Sequence, residues 1–220
     1  VTSVESRAVH DAAIQAGGGR CFVTDGTSAF FEAYKRGYTH EVLGCPLLPA
    51  GGVADKYYYR EPVGYETLDH VELCGNVVDA DALLVLSHGK GHGHSGFGGA
   101  IKNIAMGCVS TRTRGAIHGL MGGVFEWDGE RCTHCGQCRD NCPTSAISFD
   151  KADRLRLSEH HCRYCMHCVS ACPVEAIRID QSRYRHFQMG MAWATKKCLE
   201  RFDKNAVYYV TVLNNITPLC

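Results

Sequence analysis

The chain has no surplus of charge of either sign: its 23 lysines and arginines are matched by 23 aspartates and glutamates. A nucleic-acid binder is expected to carry a basic excess, so no nucleic-acid partner is expected. Long apolar runs are also missing. The densest is ALLVL at residues 82–86, far short of the ~20 residues that cross a bilayer, so no membrane span is expected. The start carries no cationic and apolar secretory signal. It opens on Val1 rather than methionine, which reads as a processed form or a piece of a longer chain.

What remains is a soluble composition with three excesses. The 220 residues suffice for one large domain or two small ones, and 45% are apolar against 21% charged, as in a chain with a core. The excesses are 14 cysteines, 24 glycines and 12 histidines. Secreted domains use cysteine for disulfides, but nothing here points to secretion, and the alternative is metal. Spacing separates the two.

Residues 1–125 read as α/β. Residues 4–16 are alanine-rich and helix-compatible, ending at three glycines. Residues 21–24 read as a short buried strand ended by the turn Asp25-Gly26, residues 28–36 as a helix, and residues 45–48 as a strand. Residues 57–59 and 69–73 alternate like strands with one wet face. The ALLVL run is expected to be a strand buried on both faces, followed by a glycine-dense loop at 89–99 and a helix at 100–106. Strands alternating with helices predict a layered sheet. After residue 182 this character returns. Phe187, Met191, Ala194, Cys198 and Phe202 fall on one helical face, and residues 207–213 (VYYVTVL) are β-rich.

The segment between, residues 126–181, holds two copies of one pattern. CTHCGQCRDNCPTSAISF starts at Cys132, and CRYCMHCVSACPVEAIRI starts 30 residues later at Cys162. Each copy is C-x2-C-x2-C-x3-C-P. Three thiolates at equal short steps wrap one iron-sulfur cubane, and the fourth lies too far along to close the same cage. The expected assignment is therefore exchanged. Cys132, Cys135, Cys138 and Cys172 hold cluster I, and Cys162, Cys165, Cys168 and Cys142 hold cluster II. Two zinc sites are the main alternative, although zinc favours separated C-x2-C pairs; disulfides are the other. Ile147 and Ile177 follow the two fourth cysteines and are expected to exclude water from the clusters. His134, Tyr164 and His167 lie between ligands, either solvated or close enough to make a cluster sensitive to pH.

Residues 87–103 (SHGKGHGHSGFGGAIKN) leave a strand and enter a helix. Gly91, Gly93 and Gly96 match G-x-G-x-x-G, but no acidic residue stands ~20 positions on, so the dinucleotide fingerprint fails. Glycines that admit a ligand, a helix N-terminus, Lys90 and Lys102 together fit an anion or substrate pocket. A metal site on His88, His92, His94 and His118 and a purely structural role are the alternatives. Asp25, after the first strand, is expected to face the same pocket. The other six cysteines, Cys21, Cys45, Cys74, Cys108, Cys198 and Cys220, read as buried thiols, Cys220 being a further ligand candidate if the chain continues.

The cysteine segment resembles a bacterial two-cluster ferredoxin domain over about 55 residues. That resemblance implies two [4Fe-4S] clusters and low-potential one-electron transfer. VTDGTS (23–28), residues 78–108 and the two cysteine motifs together resemble the iron-sulfur family catalogued as domain of unknown function 362. It implies an α/β body carrying a ferredoxin-like α+β insert, usually in a longer chain, so any site shared with missing parts is expected to be incomplete. HSGFGGAIK is also similar to a glycine-lysine segment of lactate racemase-like enzymes, too short to carry function over. The expected division is an α/β body at 1–125, the two-cluster module at 126–181, and a return to the body at 182–220. The leading functional expectation is electron transfer to a redox protein or larger redox complex in a reducing cytoplasm. An enzyme that binds a small anion in the glycine-histidine-lysine loop and is wired to the clusters comes second. A structural or sensing role for the clusters is third.

Overall fold

A computed structural model describes residues 2–121, 125–158, 161, 162, 165–214 and 216. The chain mixes helices and strands, in the general α/β class. It opens with α1 (Ser3–Gln15), started by a capping box between Thr2 and Glu5. β1 (Val23–Asp25) and β2 (Leu47–Pro49) pair in parallel, with α2 (Thr27–Lys35) and α3 (His40–Leu43) between them in the chain. β3 (Tyr58–Tyr65) and β4 (Leu68–Cys74) form an antiparallel hairpin that runs into α4 (Gly75–Val78).

β5 (Leu83–His88) follows. The glycine-dense stretch after it is not the irregular loop expected, but a hairpin of β6 (Lys90–His92) and β7 (Gly96–Gly98), turned at Gly93 to Ser95. Then come α5 (Ala100–Gly107) and α6 (Thr111–Gly119). The cysteine segment holds β8 (Phe125–Trp127), α7 (Gln137–Asp140), β9 (Ile147–Phe149), β10 (Leu155–Leu157), α8 (His167–Ser170) and β11 (Ile177–Ile179). The last described helix and strand are α9 (Tyr184–Leu199) and β12 (Val207–Val212).

The expected layered sheet is not what forms. Among the described residues the strands make six separate two-stranded ladders, two parallel (β1–β2, β5–β12) and four antiparallel. Most strands are three residues long, too short to template a wide sheet. β5 corrects a second expectation. Val85 and Ser87 are buried, whereas Leu84 is 37% exposed, so the strand alternates instead of being buried on both faces. One neighbouring strand, β12, and one covering helix, α5, explain this.

The main core is built on α9. Phe187, Met191, Ala194 and Cys198 are buried on one face, as the periodicity predicts, against Leu73 of β4, Ile104 of α5 and Ile117 of α6. Full burial of a side chain of phenylalanine size is worth about 1.5–3 kcal/mol. β12 then pairs with β5 in register from Leu83–Val207 to His88–Val212. No described helix is long and apolar enough to cross a membrane.

Candidate functional site

The two cysteine copies have matching backbones. Gly136 and Met166 both take a left-handed conformation (φ 75° and 70°) at the start of α7 and α8. Ser145 and Glu175 are left-handed too, each at φ 51°. The fourth cysteine of each copy accepts from the amide four residues on: Ala146 to Cys142 Sγ and Ala176 to Cys172 Sγ, both 3.2 Å. A left-handed Met is costly without glycine's freedom, yet Met166 keeps the turn that Gly136 makes in the first copy.

A second small core sits beneath these loops. It joins buried Cys138, Cys168, Ile147 and Ile177 with Trp127, Phe149 and Leu157, so the two isoleucines do pack beside cysteine. A small cavity opens beside it, lined by Cys142 together with Cys162, Cys165 and Cys168, and by Ile147 and Ile179. The fourth cysteine of the first copy thus meets the first three of the second. In the other copy, Cys132 and Cys135 stand close enough to Cys138 to act on its thiol.

The thiols are not equivalent. Burial pushes Cys168 up to about 11, and the nearby Cys162 and Cys165 add to it. Burial likewise raises Cys138, with Cys132 and Cys135 adding. For Cys142 burial is outweighed by hydrogen bonds from the Thr144, Ala146 and Ile147 amides and the Thr144 hydroxyl, and its pKa falls. Crowded thiolates disfavour their own ionisation unless a cation-rich centre neutralises them. The His134 amide reaches Cys132 Sγ at 3.4 Å, and His167 Nδ1 lies 3.0 Å from Cys165 Sγ. Tyr164 and Cys220 lie outside the described residues. No group of three or more His, Cys, Asp or Glu among the described residues stands close enough to hold a single metal ion. The donor set still fits a cubane, in which each thiolate binds its own iron and the sulfurs stand apart.

The glycine-histidine-lysine hairpin lies over α9. His92, His94 and His118 surround the fully buried Phe187, with ring centroids at 6.3, 5.9 and 5.0 Å. His92 and His94 are 5.6 Å apart, brought together by the turn rather than by an extended strand. The amides of His94 and Ser95 both donate to His92 Nδ1 at 3.3 Å, so its proton sits on Nε2. His118 Nδ1 bonds the Arg114 carbonyl at 2.8 Å, which assigns its proton to Nδ1 and leaves Nε2 an acceptor. Lys90 and Lys102 flank Gly98. Burial, then Lys102, His94, Lys90 and His118, hold the His92 pKa down at about 4. The charged neighbours that act on this imidazole are cationic, which favours an anion over a metal cation.

Two expected members are elsewhere. His88 Nε2 bonds the Asn214 carbonyl beside β12. Asp25 lies at the far end of α5, where its Oδ1 faces Gly107, about 7.5 Å of helix beyond Lys102. The described structure therefore brings Lys90, His92, His94 and Lys102 together, adds His118, and leaves out His88 and Asp25.

Phe187 and Tyr184 were not legible as site residues. Phe187 reads only as core, and Tyr184 has no local signal. Tyr184 stands 5.2 Å from His94. Its hydroxyl is held up at about 12 by burial, with the charges of Cys162 and Cys165 adding to the effect.

No curated protein matches the chain. A family model does match it, over residues 3–220, nearly the whole length and both the cysteine segment and its flanks. The chain belongs to the family described as domain of unknown function DUF362.

Proposed function

We propose that this chain is an electron-transfer protein, or a subunit of one, that holds two [4Fe-4S] clusters in a ferredoxin-like insert and serves a redox protein or larger redox complex in the cytoplasm. The observation that carries the reading is the cavity in which Cys142 joins Cys162, Cys165 and Cys168. It is the exchanged set that the C-x2-C-x2-C-x3-C-P spacing calls for. Bound cubanes supply one-electron chemistry at low potential. The chain's own residues supply the rest. Amide donors at Cys142, Cys172 and Cys132 stabilise thiolate charge. Ile147 and Ile177 keep water from the sulfurs. Cys135 and Cys165 are the exposed ligands, so they mark where a partner approaches most closely.

Anaerobic iron and sulfide analysis with EPR of the reduced protein tests this. About eight irons per chain with spin-coupled spectra are expected. The exchange has its own signature. Cys142→Ser combined with Cys168→Ser is expected to lose about four irons, no more than either alone, whereas Cys142→Ser with Cys138→Ser loses nearly all. Folded anaerobic protein that contains zinc instead overturns the reading.

A second reading is favoured by the contact of His94 with Tyr184 beside Cys162 and Cys165. Here the Lys90, His92 and Lys102 pocket binds a small anionic substrate, and Tyr184 fills the space between it and cluster II. Reoxidation of the reduced protein by nitrite or sulfite, compared between wild type and Lys102→Met, separates the two readings. Equal rates leave electron transfer to a protein partner standing alone.

A further inference from the structure

Six cysteines lie outside the two motifs, and two of them meet where β1 and β2 begin. We propose that Cys21 and Cys45 are a dithiol that exchanges with low-molecular-weight disulfides, of the oxidised-glutathione class, and closes into a reversible disulfide. Val23 and Leu47 are register partners in the parallel β1–β2 ladder, and the Val23 amide donates to the Pro46 carbonyl at 2.9 Å. Two residues back on each chain, at the entry to the strands, stand Cys21 and Cys45. Paired strands lie about 4.8 Å apart, inside the ~4.4–6.8 Å between Cα atoms that a disulfide spans. The Cys45 sulfur also faces β1: it accepts from the Val23 amide, and the charge of Cys21 reaches it. Both thiols are free.

The two thiols differ in access, which sets the order of events. Cys45 is 3% exposed. Cys21 departs from the expectation that every thiol outside the motifs is buried: it is half-buried, with its Sγ 3.7 Å from the Gly19 carbonyl. Open space adjoins Gly17 and Gly19 just ahead of it, where an added Cβ would meet nothing within 4 Å. An incoming disulfide RSSR therefore meets Cys21 first. The Cys21 thiolate attacks one sulfur, the S–S bond breaks, and the first RS⁻ leaves with the Cys21 proton. The Cys45 thiolate then attacks the Cys21 sulfur of the mixed disulfide and expels the second RS⁻, which takes the Cys45 proton. Two protein thiols are oxidised and one external disulfide is reduced to two RSH. Cys74, Cys108 and Cys198 supply an internal contrast. Cys108 and Cys198 share a hydrogen bond, but all three are buried, and buried thiols are inert to such reagents. The site depends on neither reading of the clusters.

Peptide mapping of the full chain tests the proposal. Anaerobic protein is held with excess oxidised glutathione, quenched with iodoacetamide in urea and cut with trypsin, which releases Cys21 in residues 21–35 and Cys45 in residues 37–56. Neither peptide carries a motif cysteine, so the readout does not turn on whether clusters are bound. The two peptides are expected joined by a disulfide that dithiothreitol opens, while Cys74, Cys108 and Cys198 are recovered alkylated. In Cys45→Ser the reaction is expected to stop at a glutathione adduct on Cys21. In Cys21→Ser the Cys45 thiol is expected to stay unmodified. Recovery of both wild-type peptides alkylated, a glutathione adduct on wild-type Cys21 with no link to Cys45, Cys21 joined to any other cysteine, or Cys45 modified in Cys21→Ser overturns the proposal. Should Cys45→Ser fail to fold by circular dichroism, the wild-type map and Cys21→Ser decide.

Discussion

Amide donors stabilise a sulfur as an anion only where they outweigh burial: Cys142 and Cys168 both accept backbone amides, and at Cys168 burial prevails. Cys142 and Cys168 show the contrast, one lowered and the other raised. His92 is held down by burial first, with its cationic neighbours Lys102 and Lys90 adding to it. Its pKa is about 4 in the folded chain against an ordinary 6.5. The unfolded chain thus binds more protons between those values, so stability from this group is complete above pH 6.5 and is lost as pH falls toward 4. Chemical denaturation at stepped pH is expected to show that acid loss, and His92→Gln to flatten it. An unchanged slope removes His92 from the account. The eight motif cysteines stand out as ligand candidates in the chain itself, because their spacing alone nearly defines a cage. Tyr184 joins a site only through tertiary packing, so no pattern in the chain marks it, whereas His118 was singled out only as one of four candidate metal-binding histidines.

α9 lends its apolar face to the main core. Its apolar face was legible from steps of three and four. What was not legible is how closely it approaches α6. A Cβ on Gly190 would stand 2.5 Å from Leu120 Cδ1 and 3.3 Å from Ile117. Gly190→Ala is therefore expected to destabilise by about 1–3 kcal/mol, despite alanine's better helix propensity. Phe187→Ala removes the ring on which three imidazoles rest and is expected to cost about 3–5 kcal/mol in urea unfolding. If Gly190→Ala instead stabilises, the helices are not this close. α6 itself went unread, since TRTRGAIHG offers few apolar positions and its start depends on Ser110 capping the Thr113 amide at 3.2 Å. β5 was misjudged on one face because an apolar run does not disclose how many neighbours it has.

At the scale of the molecule, the cysteine segment begins and ends at one place. β8 and β11 are antiparallel, and Trp127 lies opposite Ile177. Replacing residues 128–176 with a two-residue type I′ turn such as Asn-Gly is geometrically suited to that pair. The shortened chain is expected to keep cooperative thermal unfolding and the α9 helix signal while binding no iron. A molten, non-cooperative product would mean the flanks cannot fold without the segment.

That neck also bears on how fast the molecule assembles. Leu83 and Val207 must find each other to start the β5–β12 ladder, across most of the chain's length. Once β8 and β11 have zipped, the residues between them no longer count toward the search, and the entropy of closing the remaining loop falls. If the proposed clusters form there, refolding in the presence of iron and sulfide should be quicker than without them, a clasp on a part of the chain the clusters would never touch.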